Sequence, residues 1–119
     1  MMSWSRMKPA EKFCAVWEEF GFAGSDMELE YRFDMNHGFL LDFAWPSCKV
    51  AVEIHGLGPG HMGTKGLCRD CTKMRHAILM GWIVLPFSTP CISSRANAQA
   101  AVALVNELLS KRHPDASRG

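Results

Sequence analysis

The feature that most restricts the fold is a strand–helix–strand pattern in the centre of the chain. Residues 49–54 (KVAVEI) and 82–87 (WIVLPF) have strand character, and residues 67–80 between them have helical character that ends at Gly81. A helix that joins two strands of one sheet makes them parallel through a crossover. The run 49–54 is apolar enough for burial on both faces, and Pro86 predicts a position near the sheet edge for the second strand.

The flanking segments complete the predicted sheet and its covering helices. Residues 9–20 and 96–109 carry apolar stripes at helical spacing. Residues 28–33 alternate apolar and polar side chains, and the apolar run 39–44 ends before Trp45-Pro46, so both are predicted strands. The predicted fold class is α/β, a mixed β-sheet flanked by helices.

Length and composition predict one domain over residues 1–119, with a frayed polar tail over 113–119. The 48% hydrophobic content and the net charge of +1 exclude a disordered chain or a fibre. No apolar run approaches the ~20 residues that span a membrane, and no signal-peptide segment is evident. We therefore expect a cytoplasmic protein with no membrane partner. Five cysteines, an odd number, argue against a disulfide framework.

Two acids lie on neighbouring predicted strands. Asp42 interrupts the apolar run LLDFAW, and Glu53 and His55 lie two residues apart, so they share one strand face. If the strands pair, Asp42 and Glu53 come close enough to share Mg²⁺, which prefers carboxylate oxygens. The alternative is a structural ion pair of Asp42 with Lys49 or Arg75.

Residues 56–66 form a predicted glycine-rich loop, a length that is usually functional. The loop contains His61, whose imidazole titrates near neutral pH and can act as a general base; an exposed histidine without a role is the alternative. A basic segment follows, and beside an acidic metal site it suits a phosphodiester backbone, whereas an ordinary solvated helix face is the alternative. Its candidate DNA-binding residues are Lys65, Arg69, Lys73 and Arg75.

One C-x-x-C motif, Cys68 and Cys71, leaves a structural zinc ion open. Two further ligands would have to come from His61, Cys91 or Cys48. Free thiols packed in the core are the alternative.

Three sequence blocks resemble the very-short-patch-repair (Vsr-like) endonucleases and related small nucleases of the PD-(D/E)xK superfamily. The blocks are KPAEKFCAVWEEFGF, FLLDFAWPSCKVAVEIHG and RDCTKMRHAILMGWIVLPF. They align Glu11, Asp42, His55 and Asp70 with the E-D-x-H-D signature of such domains. Glu53 stands where the wider superfamily has its E-x-K acid, with His55 at the lysine position.

The resemblance implies a restriction-endonuclease-like core and a Mg²⁺- or Mn²⁺-dependent DNA endonuclease of bacterial or phage type, connected with DNA repair. It implies a metal site at Asp42, with Glu53 or the Ile54 carbonyl as a second ligand. The remaining implied catalytic residues are His55 and His61, as general base, and Asp70 and Glu11, as orienting groups. DNA is the expected partner, and the short chain predicts weak intrinsic sequence specificity, a homodimer or a specificity-giving partner protein.

Three alternatives remain open at this point. One is a structure-selective nuclease for junctions or flaps on the same scaffold. Another is a non-catalytic, zinc-stabilised nucleic-acid-binding module that uses Cys68 and Cys71. The third is a catalytic domain of a homing-type enzyme without its sequence-reading module.

Overall fold

Four strands and three longer helices make up the part of the chain that the structure, a computed structural model, describes: residues 3–22, 24–56 and 64–112, apart from the side chains of residues 64–68 and 70. The elements in chain order are α1 (Pro9–Phe20), β1 (Glu28–Arg32), β2 (Leu40–Trp45), β3 (Val50–His55), α2 (Thr64–Leu79), β4 (Ile83–Ser88) and α3 (Arg95–Arg112). Short 3₁₀ helices lie at Trp4–Arg6 and Thr89–Ile92.

The strands form one mixed sheet in the order β1-β2-β3-β4. β1, β2 and β3 pair antiparallel in succession, whereas β3 and β4 pair parallel. The predicted parallel crossover is therefore confirmed, and so is the edge position of the strand that contains Pro86. The α/β class with a mixed sheet flanked by helices is confirmed, while its relation to a restriction-endonuclease core stays a prediction.

Helices α1 and α3 cover one face of the sheet through an aromatic core. Phe13 lies with its ring centroid 4.6 Å from that of Phe43, and Trp17 lies 4.8 Å from Trp45. Valines of α3 complete the same core. These four rings supply most of the large buried side chains between α1 and β2, and the burial of this apolar surface holds α1 on the sheet.

Helix α2 approaches the opposite face over small side chains. Ala44 and Ala51 on the sheet and Ala77 on the helix are fully buried, and Trp82 packs beside them. Small residues at this contact let the helix backbone lie close to the strands, which brings polar side chains of α2 within reach of the sheet.

The element boundaries correct several predictions. Helix α2 begins at Thr64, so the last three residues of the predicted loop 56–66 belong to the helix. Helix α3 extends beyond the predicted 96–109 because Arg112 is fixed by hydrogen bonds to the carbonyl oxygens of Cys48 and Gly81, at 2.8 and 3.0 Å. The tail 113–119 lies outside the described residues. Among the described helices, none is both long and apolar enough to cross a membrane.

Candidate active site

Strands β2 and β3 separate at Asp42 and Glu53. Their antiparallel pairing ends at Phe43 and Val52. At the next position Oδ2 of Asp42 accepts the backbone N–H of Ile54 at 2.8 Å, and Oε2 of Glu53 accepts the backbone N–H of Asp42 at 3.3 Å, a longer and weaker bond. Two side-chain carboxylates thus satisfy backbone donors that the ladder leaves unpaired, and they hold the two acids side by side.

The alternation of side chains along β2 breaks at Asp42. Phe43 packs in the core beneath α1 and α3, whereas Leu41, two residues earlier, packs in the core beneath α2. Residues two apart in a regular strand share one face. Opposite the break, Glu30 of β1 has a φ of 48°, in the left-handed region. The regular alternation of side chains is therefore interrupted at Asp42, whose carboxyl group hydrogen-bonds to β3.

Glu53 is the most deeply buried acid of the site, with 2% of its surface exposed. The pKa of Glu53 is raised to about 7, chiefly by burial and then by the hydrogen bond to Asp42 and the charge of that acid, while Lys73 opposes the shift. The Lys73 ammonium contacts Oε1 of Glu53 and donates to the Leu40 carbonyl oxygen at 3.0 Å. The two acids and this lysine therefore lie within one connected set of contacts.

The predicted structural partners of Asp42 lie elsewhere. Lys49 donates to the Met80 carbonyl oxygen at 2.9 Å, and Arg75 donates to Oγ1 of Thr72 at 3.3 Å. The alternative in which Lys49 or Arg75 forms an ion pair with Asp42 is therefore not what the structure shows. The cation at this site is Lys73, which contacts Glu53 from helix α2.

On the other side of the sheet, Asp42 lines a cleft of about 580 Å³ between α1 and the β1–β2 pair. Glu11, Glu18 and Glu30 line the same cleft, so four carboxylates share it. Glu11 also has a local role, since its Oε1 accepts the backbone N–H of Lys8 at 3.0 Å and caps α1. The structure thus places Glu11 and Asp42, two of the acids named by the resemblance, on one cleft.

The histidines and the last acid of the predicted site are only partly described. The parallel ladder continues unbroken to His55 and Ser88, so β3 keeps its alternation and His55 lies on the same face as Glu53. Its half-buried imidazole makes no hydrogen bond within the described residues. His61 lies outside the described residues, and Asp70 lies on α2 with its side chain outside them.

The predicted DNA-contacting cations differ in their surroundings. Arg69 is exposed and lines, together with Lys73, a groove of about 330 Å³ beside Gly38, Phe39 and Leu40. Lys73 does not project freely from the surface, because its side chain is 18% exposed and is paired with Glu53. Arg75 is exposed, and the side chain of Lys65 lies outside the described residues.

The predicted zinc motif is described at one of its two cysteines. Cys71 is an exposed free thiol, and Cys48 is buried in the aromatic core. Cys91 is exposed, its sulfur lies 3.2 Å from Oγ of Ser88, and hydrogen bonding to Ser88 lowers its pKa. The side chain of Cys68 lies outside the description, so the C-x-x-C zinc site stays a prediction.

Sequence reasoning missed a second group of metal-ligating side chains. Asp34, His37 and His76 each offer a ligand atom, and these atoms lie within 4.8 Å of one another. The sequence placed His37 in a turn and gave His76 no role. The three-residue spacing between Asp34 and His37 could have indicated a pair of metal ligands, but only the fold brings His76 to them from α2.

Compared with models of protein families, with curated proteins and with solved structures, the chain matches none of them.

Proposed function

We propose that the Asp42–Glu53 fork binds Mg²⁺ or Mn²⁺ and that the chain is a metal-dependent DNA endonuclease that nicks phosphodiester bonds. The observation that carries this proposal is the convergence of two carboxylates and a lysine where two central strands separate. Perturbed ionisable groups of this kind cluster at functional sites. A chromosomal, plasmid or phage DNA substrate places the proposed activity in the cytoplasm.

The donor set fits a hard divalent cation. Two carboxylates side by side repel each other when both are ionised, and Lys73 supplies one positive charge against their two negative charges. Burial is the main cause of the raised pKa of Glu53, and the charge of Asp42 adds to it. A divalent cation would relieve the repulsion between the two carboxylates, and the Ile54 carbonyl oxygen is a further proposed ligand.

When bound, the metal ion supplies a lowered pKa for an attacking water and neutralises charge on the scissile phosphate. The chain's own residues do the rest of the proposed work. Asp42 and Glu53 orient the site, Lys73 limits its negative charge, and His55, on the Glu53 face of β3, accepts the proton of the attacking water. Arg69 is exposed on α2 and contacts a phosphate of the substrate.

The resemblance to Vsr-like nucleases adds three residues to this proposal. It gives Glu11 and Asp70 orienting roles and makes His61 a second proton-transfer group. Glu11 and Asp42 line the same cleft, which supports a joint role for them.

Nicking of supercoiled plasmid in Mg²⁺, Mn²⁺ or EDTA tests the proposal. Asp42→Asn removes a metal-binding charge but keeps an oxygen that can accept the Ile54 N–H, so the fork is retained. We expect metal-dependent nicking by the wild type and a loss of about 100-fold or more in Asp42→Asn. The control Glu107→Gln changes an exposed acid of α3 and leaves nicking unchanged. Equal nicking by wild type and Asp42→Asn would overturn the assignment.

The same assay distinguishes the competing functions. A structure-selective nuclease would cut branched DNA far faster than plain duplex. A non-catalytic module would bind DNA in a salt-dependent manner and cut neither substrate in any metal. Nicking of plain duplex by the wild type, at a rate similar to that on branched DNA, supports the proposal against both.

A further inference from the structure

A second group of polar side chains lies where the turn between β1 and β2 meets the C-terminal half of α2. Asp34 and His37 come from the turn, and His76 comes from the helix. Oδ2 of Asp34 lies 2.8 Å from Nδ1 of His37 and 3.6 Å from Nδ1 of His76. One carboxylate oxygen therefore faces two imidazole nitrogens from separate parts of the chain.

The surrounding residues hold this group in place. The backbone N–H of Asn36 donates to Oδ1 of Asp34 at 2.9 Å, which leaves Oδ2 directed at the imidazoles. The ring of Phe39 stacks on His37, with centroids 5.3 Å apart and planes at 4°, and lies 5.6 Å from His76. Arg32 donates to the carbonyl oxygens of His37 and of a neighbouring turn residue. These contacts fix the orientation of the Asp34 carboxylate and of the His37 ring.

The two imidazole rings lie with centroids 4.5 Å apart, and a single carboxylate oxygen faces an Nδ1 atom of each ring. Among the described residues, Asp34 has no ion-pair partner other than these two histidines. A divalent cation bound by both unprotonated Nδ1 atoms and by Oδ2 satisfies all three side chains at once.

We propose that Asp34, His37 and His76 bind one Zn²⁺ ion, which joins the β1–β2 turn to α2. Tetrahedral ligands at 2.0–2.2 Å from zinc lie about 3.4 Å from one another. The 2.8 and 3.6 Å separations from the Asp34 oxygen differ from this by less than 1 Å, and all three ligand atoms lie within 4.8 Å of one another. Imidazole nitrogen suits zinc and is a poor ligand for Mg²⁺ or Ca²⁺. Three protein ligands leave a fourth position for water.

The proposed zinc site is separate from the Asp42–Glu53 fork but shares a helix with it. His76 lies one turn of α2 after Lys73, the residue that contacts Glu53. Zinc would fix the C-terminal half of α2 on the turn and so support the position of Lys73. It does not depend on the Cys68–Cys71 motif, and zinc binding is expected whether or not the chain cuts DNA.

Zinc titration of the untagged, EDTA-stripped and dialysed full chain, by isothermal calorimetry, tests this site. We expect one zinc ion per chain and a rise in melting temperature of roughly 5 °C or more at saturating zinc. His37→Gln and His76→Gln should each weaken binding about 10-fold or more. Co²⁺, used as a spectroscopic probe, should give the visible absorption of a tetrahedral site in the wild type and in neither histidine variant.

Matched variants separate this site from the other candidates. Cys71→Ser and Asp42→Asn should bind zinc as the wild type does. His37 is exposed, so His37→Gln should melt like the wild type in EDTA, which shows that a loss of zinc affinity is not a loss of the fold. Zinc binding that survives both histidine variants, or no binding by the wild type at micromolar zinc, would overturn the proposal.

Discussion

Lys73 of α2 lies against Glu53 of β3, and this contact links the helix to the place where β2 and β3 separate. The lysine also donates to the Leu40 carbonyl oxygen, so its ammonium joins β2, β3 and α2. Because Glu53 is buried, this ion pair controls both the charge of the site and the cost of burying it.

Removal of this lysine should destabilise the fold and raise the pKa of Glu53. Lys73→Met leaves the apolar stem in place but removes the charge, so we expect a loss on the order of 1–3 kcal/mol in the free energy of unfolding at pH 8. Glu53 can take up a proton in this variant, so the loss in the free energy of unfolding stays below the loss expected for a buried acid that must remain charged. Urea unfolding measured by circular dichroism gives the difference.

The matched control is Lys111→Met on α3. Lys111 pairs with Glu107 four residues earlier, and both side chains are exposed. Such pairs contribute about 0.3–0.5 kcal/mol, so this variant should unfold almost as the wild type does. Equal effects of the two substitutions would show that the Lys73–Glu53 contact stabilises the fold no more than an exposed ion pair does.

Glu53 should make the stability of the protein fall as pH rises towards neutrality. The pKa of Glu53 is raised from 4.5 to about 7 in the folded state, chiefly by burial. The folded chain keeps a proton that the unfolded chain releases at lower pH, so the stabilising contribution is fully present below pH 4.5 and is lost as pH rises to about 7.

Glu53→Gln, a neutral analogue of the protonated acid, should lack this loss. Unfolding in EDTA at pH 5 and pH 8 should show the wild type losing on the order of 2 kcal/mol relative to Glu53→Gln between the two pH values. Glu107→Gln, on the exposed surface, should leave the pH dependence as in the wild type. A wild type that gains stability relative to Glu53→Gln at pH 8 would contradict the sign of the shift.

Much of the fold could be predicted because local patterns and topology agree. The apolar stripe that begins at Pro9 gave α1 with both of its ends, and the strand–helix–strand pattern gave the parallel pairing of β3 and β4. The start of α2 could not be predicted in this way. Gly66 is typical of a loop, yet it lies in the first turn of that helix, where tertiary context overrides a weak local preference.

The candidate site was predictable as far as strand pairing reaches. Asp42 and Glu53 follow from two adjacent strands, one of which carries an acid in an apolar run. Lys73 and His76 are different, because their roles depend on which face of α2 meets the sheet. The reversal of side-chain alternation at Asp42 also had no sequence signal, and neither did the positive φ of Glu30 opposite it on the neighbouring strand.

Gly21→Ala should destabilise the contact between α1 and the sheet. A Cβ atom at Gly21 would overlap both the indole ring and the carbonyl oxygen of Trp17, and that ring packs on Trp45 and cannot move freely. We expect a loss of about 1–3 kcal/mol in the free energy of unfolding. Gly38→Ala is the control, because a Cβ atom there meets nothing within 4 Å. Thermal melts of both variants measure the difference, and equal melting temperatures would contradict it.

Mg²⁺ should stabilise the folded chain through the Asp42–Glu53 fork, independently of any cleavage. A ligand present at ten times its dissociation constant adds about 1.4 kcal/mol to the free energy of unfolding, so millimolar Mg²⁺ at pH 8 should raise the melting temperature by several degrees. Asp42→Asn should abolish the rise, because it removes one of the charges that attract the ion. His76→Gln should retain it, because imidazole is a poor ligand for Mg²⁺. A rise that persists in Asp42→Asn and disappears in His76→Gln would locate the magnesium at the β1–β2 turn and would remove the metal from the proposed nuclease site.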